Sequence, residues 1–352
     1  MATVPEIVAN PAFSGSPDRL LDSHGRVITD LRVSITDRCN YKCVYCRTGQ
    51  VGAQYAELAT QDYLRLIRNF VSLGIEKVRL TGGEPLLRRD LPEMVRELAT
   101  WRTPSGDRLD IAVTTNGHLL EDLAAPLKKA GLSRVTVSMD AVDQPTFERI
   151  TRIPGSYPAV VRGIRAAQQA GFERVKINCV LLRGFNDNQI EAFGEFARRE
   201  NVIVRFIEFM PLEEDRLWSP EMVVSLREIV ERLGKVFPLR PLTPNSPSET
   251  ARRYGFQDDT GETGLGEIGI IAPVTQAFCG ACSRIRLTSD GKIRTCLFSN
   301  IEHDLYGKMR QGATDENLRD FIVQTVIKKE ARHHIGEPGF LKPSRSMVHI
   351  GG

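Results

Sequence analysis

The sequence predicts an α/β fold, an incomplete parallel barrel of six strand–helix units followed by a C-terminal extension. Three observations carry that expectation. Strand-like segments alternate with amphipathic helical stretches through the middle of the chain. Within most of those strands polar and apolar residues alternate, and the first strand runs directly into a loop with three cysteines. At 352 residues the chain can bury a substantial core and is longer than one such barrel requires. Residues 26–235 are expected to form the barrel, 236–352 the extension and 1–25 a loose tail.

The strands are expected at 31–36, 77–81, 110–115, 134–140, 174–182 and 202–209, with helices such as 61–73, 91–101 and 157–170 between them. Six such units fall short of the usual eight. In the first strand Leu31, Val33 and Ile35 share one face, and Arg32, Ser34 and Thr36 the other. The second sets Val78 and Leu80 against Lys77, Arg79 and Thr81. The fourth opposes Val135, Val137 and Met139 to Arg134, Thr136, Ser138 and Asp140, and the fifth opposes Val175, Ile177 and Cys179 to Arg174, Lys176 and Asn178. An ordinary eight-stranded barrel is largely apolar on both faces. Here, if the apolar faces meet the helices, the polar ones line a wet lumen carrying Arg32, Lys77, Arg79 and Lys176. Such a lumen suits a substrate with several negative charges, such as a nucleoside triphosphate. Two alternatives stay open: periodicity alone also permits an open doubly wound sheet, and an exposed antiparallel face alternates in the same way, although the intervening helices argue against the latter.

Six of the seven cysteines fall into two triads. Cys39, Cys43 and Cys46 are spaced C-x3-C-x2-C, and Cys279, Cys282 and Cys296 are spaced C-x2-C-x13-C. Three thiolates can hold three corners of an iron–sulfur cube and leave one iron open. Structural zinc normally closes with four ligands, for which His303 is the nearest candidate beside the second triad; zinc and inert buried thiols are the alternatives. Arg284 and Arg286, two apart on an expected strand, point the same way and offer two guanidinium forks to phosphate. Cys179, alone in a strand, reads as core. Gly82-Gly83-Glu84-Pro85 ends the second strand, where its glycines allow backbone to approach a ligand and Glu84 is available to a ligand ammonium. Thr114-Thr115-Asn116-Gly117 and Ser138-Met139-Asp140 end the next two strands at the same mouth.

Composition narrows the class further. A net charge of +3 is too small to argue for nucleic acid. No apolar run approaches membrane-spanning length, and residues 1–16 lack the pattern of a signal peptide. Clustered thiols without a disulfide-like framework suit a reducing compartment, so the cytoplasm is expected.

The first triad, Gly82-Gly83-Glu84-Pro85 and the strand–helix alternation together resemble the radical S-adenosylmethionine (SAM) superfamily. Residues 31–40, 79–90 and 205–210, the block from Cys279 to Cys296 and the terminal Ile350-Gly351-Gly352 are similar to its GTP 3′,8-cyclase family, a likeness running from about Arg26 to the end. Arg47-Thr48-Gly49 departs from it, since many relatives carry Met-Pro there. The resemblance implies that the extension closes the barrel and carries a second [4Fe–4S] cluster on Cys279, Cys282 and Cys296, the first sitting on Cys39, Cys43 and Cys46. It implies SAM contacts from Tyr45, Gly83, Ser138 and Met210, and GTP contacts from Arg32, Arg79, Thr114, Lys176, Arg284, Ile285 and Arg286, with Lys77 and Arg205 as weaker additions. Arg284, Arg286, Gly351 and Gly352 are the implied catalytic group, the tail entering the barrel near GTP. The implied reaction converts GTP to (8S)-3′,8-cyclo-7,8-dihydroguanosine 5′-triphosphate, the first step of molybdenum cofactor biosynthesis. A flavodoxin or ferredoxin would supply electrons and cyclic pyranopterin monophosphate synthase would take the product; a homodimer is open, and neither nucleic acid nor membrane is expected as a partner. A radical SAM enzyme acting on a peptide would usually need more cysteines after residue 250 and no ring of cations. A non-catalytic iron–sulfur carrier or zinc adaptor would leave the polar lumen without purpose.

Overall fold

A computed structural model describes residues 19–46, 53–213, 217–258 and 263–351. Most of the expected tail, the departure at Arg47-Thr48-Gly49 and Gly352 lie outside the described residues. Six parallel strands stand side by side in chain order: β1 (Asp30–Ser34), β2 (Lys77–Thr81), β3 (Asp110–Thr115), β4 (Arg134–Ser138), β5 (Lys176–Leu181) and β6 (Ile203–Glu208). Crossover helices connect them: α1 (Thr60–Ser72), α2 (Leu91–Thr100), α3 (Leu120–Ala130), the pair α4 (Gln144–Thr151) and α5 (Ser156–Gln169), and α6 (Ile190–Arg199). Each helix puts an apolar stripe on the sheet, as α1 does with Tyr63, Leu66, Ile67 and Phe70. Local chemistry sets their starts; at α4 the Asp143 carboxylate accepts from Thr146 N at 2.8 Å.

The remaining chain extends this sheet at both edges. After α7 (Leu226–Gly234) come β7 (Leu239–Leu242), β8 (Ala251–Gln257) and β9 (Thr263–Ile271), and β9 pairs parallel to β6. Next, β10 (Arg284–Leu287) pairs parallel to β1, and β11 (Lys292–Arg294) and β12 (His303–Asp304) follow as antiparallel additions. Three helices end the chain: α8 (Leu305–Arg310), α9 (Asp315–Ile327) and α10 (Met347–Ile350). The strand order runs β12-β11-β10-β1-β2-β3-β4-β5-β6-β9-β8-β7. Eight consecutive strands are therefore parallel. Among the described residues the extension widens the sheet at both edges, and no pairing joins β12 to β7.

One face of the sheet carries the core. Leu31, Val33, Val78, Leu80, Val135, Val137, Ile177, Phe206, Ile285 and Leu287 are buried against the helices in one continuous cluster. Each such side chain contributes about 1.5–3 kcal/mol on burial, so this face supplies the stability and leaves the other free for polar residues. That other face, from β10 round to β9, borders a single lumen, as a curled sheet requires and an open doubly wound sheet does not. Cys179 is fully buried, as its place in the alternation predicts. Among the described residues no helix is long and apolar enough to cross a membrane.

Candidate active site

The lumen contains a cavity of ≈ 290 Å³ that all six triad cysteines line. Tyr45, Gly83, Ser138, Met210, Arg32, Arg79, Thr114, Arg284 and Arg286 line it with them. A second cavity of ≈ 190 Å³ lies towards the N-terminal ends of the strands and shares Arg32, Arg79, Arg205 and Arg284 with the first. Lys176 and Lys77 border this lower cavity, so Lys176 sits deeper than the cysteine-lined chamber. Ile285 is placed differently from its two neighbours. It faces the core opposite Leu31, because alternation turns it away from the lumen-facing Arg284 and Arg286, and its side chain cannot reach a ligand there.

The first triad hangs on a loop held from several sides. Lys42 N and Val44 N donate to Thr151 O and Ile150 O at 3.2 and 3.0 Å, pinning the loop to the end of α4. Tyr45 Oη donates to Asp140 Oδ2 at 2.7 Å, and Asp140 Oδ1 accepts from Val180 N at 2.8 Å. Burial pushes the Cys43 thiol well above its usual range, with Asp140 and the neighbouring cysteines adding to the effect. Gly82 and Gly83 serve this loop rather than a ligand alone. A Cβ at Gly82 would strike the Thr36 carbonyl and one at Gly83 the Arg38 carbonyl, because Gly83 N and Glu84 N donate to those same oxygens at 2.8 and 2.7 Å. Glu84 is also not what the motif suggested. Its buried carboxylate accepts from Leu86 N, Thr115 Oγ1 and Asn116 N at 2.9, 2.7 and 2.6 Å, tying the end of β2 to the end of β3. Burial nevertheless raises it to about 7 against those hydrogen bonds.

The second triad sits among cations. Arg26 donates to Cys279 O and Ala331 O at 2.8 Å and to Glu330 O at 2.7 Å, clamping the triad's turn to the segment after α9. Arg284 Nη2 lies 3.4 Å from Cys282 Sγ, and Lys329, buried and bonded to Thr295 O, faces the same cavity. Burial works to raise the Cys282 thiol, but Arg284 and Lys329 overcome it and bring it to about 7. His303 stands apart, its ring 6.5 Å from Phe321. Among the described residues no three His, Cys, Asp or Glu side chains are grouped as for a single metal ion. No triad cysteine is in a disulfide. Each triad's three thiols, lining a chamber with room for a ligand, fit an iron–sulfur cube with one open corner.

The tail reaches the barrel wall. Arg345 donates to both Asp290 oxygens at 2.7 and 2.9 Å, and α10 follows with Met347 and Val348 lining the cysteine-lined cavity. Gly351, at φ +73°, is buried where a Cβ would meet the Thr81 hydroxyl, and its carbonyl and that of Ile350 accept from Arg286 Nη1. Arg286 is therefore committed partly to the tail as well as to the cavity.

Register explains the charge of the lumen. Arg286, Arg32 and Arg79 are direct cross-strand partners on β10, β1 and β2, three guanidinium groups in one row. Burial pushes Arg32 and Arg79 down to about 9, helped at Arg32 by Arg79 and Arg284 and at Arg79 by Arg205 and Arg134, still cationic at neutral pH. Arg79 also donates to Thr114 Oγ1 at 3.1 Å, and Arg205 to Asn178 Oδ1 at 3.0 Å. Asp140 and Asn178, already on the polar stripe, complete the surroundings with Arg26 and Lys329; the last two escaped sequence reasoning because their partners lie on other elements.

Comparison with known proteins gives the following. The Radical SAM superfamily matches residues 33–197 and Molybdenum Cofactor Synthesis C matches residues 202–335. A GTP 3′,8-cyclase of Rhodopirellula baltica is 41% identical over 351 residues, 97% of this chain and 94% of that one. One of Corynebacterium glutamicum is 41% identical over 338 residues, 95% and 89% of the two chains. Among solved structures, Streptococcus suis SuiB bound to S-adenosylmethionine gives a TM-score of 0.59 at 15% identity, covering 81% of this chain and 65% of SuiB. Native anSMEcpe with bound AdoMet gives 0.57 at 15%, covering 87% and 82%. At such identities the two structures speak for the fold alone.

Proposed function

The chain belongs to the GTP 3′,8-cyclase family of the radical SAM superfamily, and from that premise we propose how its lumen performs the family's reaction. It converts GTP to (8S)-3′,8-cyclo-7,8-dihydroguanosine 5′-triphosphate in molybdenum cofactor biosynthesis, with two [4Fe–4S] clusters and SAM as cofactors. The observation that carries the assignment of residues is the single chamber lined by both cysteine triads, continuous with a cationic lower lumen.

In this reading Cys39, Cys43 and Cys46 hold one cluster and Cys279, Cys282 and Cys296 the other; with SAM bound, they supply the one-electron chemistry that removes a ribose hydrogen. Tyr45, Gly83, Ser138 and Met210 seat SAM on the first triad's side. The base of GTP lies on the second triad's side and its phosphates run down among Arg32, Arg79, Arg205 and Lys176, assisted by Arg284 and Arg286. Thr114 fixes the Arg79 guanidinium through their hydrogen bond. The buried strand ends and the tail exclude water and hold the two small molecules in register, which is where such an enzyme gains its rate. Gly351 and Gly352 steer the reaction. We assign residues 26–235 to the SAM half of the site and 236–352 to the second cluster and GTP. A flavodoxin or ferredoxin supplies electrons in the cytoplasm, and cyclic pyranopterin monophosphate synthase takes the product.

The test is anaerobic turnover of reconstituted protein with SAM and a reductant, with and without GTP. GTP-dependent formation of 5′-deoxyadenosine together with a cyclised triphosphate is expected. SAM cleavage that never yields a cyclised nucleotide, with a peptide product instead, would replace this reading with the peptide-modifying one.

A further inference from the structure

We propose that the loop joining β7 to β8, residues 245–250, is the subsite for the terminal phosphate of the nucleotide and so measures the length of the phosphate chain. This rests on the reading of the lumen as a GTP site. Arg32, Arg79, Arg205 and Arg284 border both cavities, whereas Lys77, Arg134 and Lys176 border the lower one and not the cysteine-lined chamber. A ligand whose base sits beside the second triad reaches those three cations by pointing an anionic tail downwards. What it meets at the bottom is this loop, whose Asn245, Ser246, Ser248 and Thr250 line the lower cavity opposite the strand-borne cations.

The charge balance there is lopsided. Of the lower cavity's cations, only Arg134 forms an ion pair among the described residues, with Asp110, to which its Nε donates at 2.9 Å. The cavity's own carboxylates are already engaged. Asp30 accepts from the Ser283 hydroxyl, and Glu249 accepts from Asn245 N at 2.6 Å and Asn245 Nδ2 at 3.2 Å. Glu249 thus shapes the loop into a compact turn, helped by its own N–H donating to Ser246 O at 3.1 Å. That leaves the hydroxyls of Ser246 and Ser248, hydrogen-bonded to each other at 3.3 Å, as the neutral donors on the floor, which turn to a phosphate by giving up that one bond. Hydroxyls beneath a ring of cations suit the oxygens of a terminal phosphate, because they bond it without adding charge and a closed turn sets how far it can extend.

The experiment measures equilibrium binding of GTP, GDP and GMP to holoenzyme, for wild type, the double variant Ser246→Ala/Ser248→Ala and the hydroxyl-retaining Ser246→Thr/Ser248→Thr. Wild type is expected to bind in the order GTP, GDP, GMP. The alanine pair should weaken GTP about tenfold or more, the effect of losing two hydrogen bonds to a charged group, and leave GMP unchanged; the threonine pair should retain most of the GTP preference. An alanine pair that weakens all three nucleotides equally, or none, overturns the subsite. A wild type that binds GTP and GMP equally instead contradicts the lumen reading beneath it.

Discussion

The two cysteine triads look into one chamber from opposite electrostatic surroundings. The first is gripped by strand ends and backed by Asp140, and its central thiol is held up by burial with a carboxylate beside it. At the second, Arg284 and Lys329 draw Cys282 down to about 7. The contrast teaches that the first loop is built to be held in place, whereas the second shares its guanidinium groups with whatever binds beside it. Arg284 and Arg286 stand at that junction, one beside a thiol and the other on the tail.

The sharpest break in this comparison comes from removing one ligand of each triad. Cys43→Ser should abolish SAM cleavage altogether. Cys282→Ser should leave SAM cleavage in place and suppress cyclisation, as followed by separate assays of 5′-deoxyadenosine and cyclised product. Identical phenotypes would erase the division of labour. Next in size is deletion of Gly351 and Gly352, which should leave iron content and SAM binding intact and suppress cyclisation with residual uncoupled cleavage; a truncated protein with unimpaired product would reduce the tail to a frayed end.

Smaller effects sharpen the contrast between the two arginines. Arg284→Ala and Arg286→Ala should each weaken GTP binding by about 1.5–3 kcal/mol, with little effect on SAM and a smaller loss for guanosine. Arg286→Ala should in addition reproduce part of the tail deletion, because Gly351 loses its donor; equal losses for guanosine and GTP would count against a phosphate role. The smallest effect is on pH dependence. Burial, and then Arg205, Arg134 and Arg79, lower Lys176 from 10.5 to about 8. An anion binds the charged form, so GTP affinity should be full below pH 8 and fall as pH rises through it, by at most about tenfold per unit. Lys176→Arg should flatten that profile up to about pH 8.5, below the range in which Arg32 and Arg79 lose charge, and titrations from pH 7 to about 8.5 that match for both proteins would exclude Lys176.

Much of this was legible in the sequence, because alternation and spacing are local. The segments 77–81 and 110–115 match β2 and β3 to the residue, and the polar stripe marked the lumen before any geometry was known. The first strand ends at Ser34 rather than Thr36, since Gly82 and Gly83 pack against the backbone that follows it. What stayed hidden depended on distant partners. Arg26 meets the carbonyl of Cys279, and Glu84 spends its carboxylate on β3; neither has a local pattern. Ile285 is the opposite case, where alternation already pointed away from the lumen that the resemblance implied. The depth of Lys176 and the floor at 245–250 needed the barrel itself.

The central claim is that each triad holds its own four-iron cluster in the shared chamber. Anaerobic iron and sulfide analysis of wild type, Cys43→Ser and Cys282→Ser tests it most directly. About eight irons per chain are expected for wild type and about four for either variant, with matching sulfide. Zinc in place of iron at either triad, or about four irons in wild type with all of them lost in one variant, would contradict it.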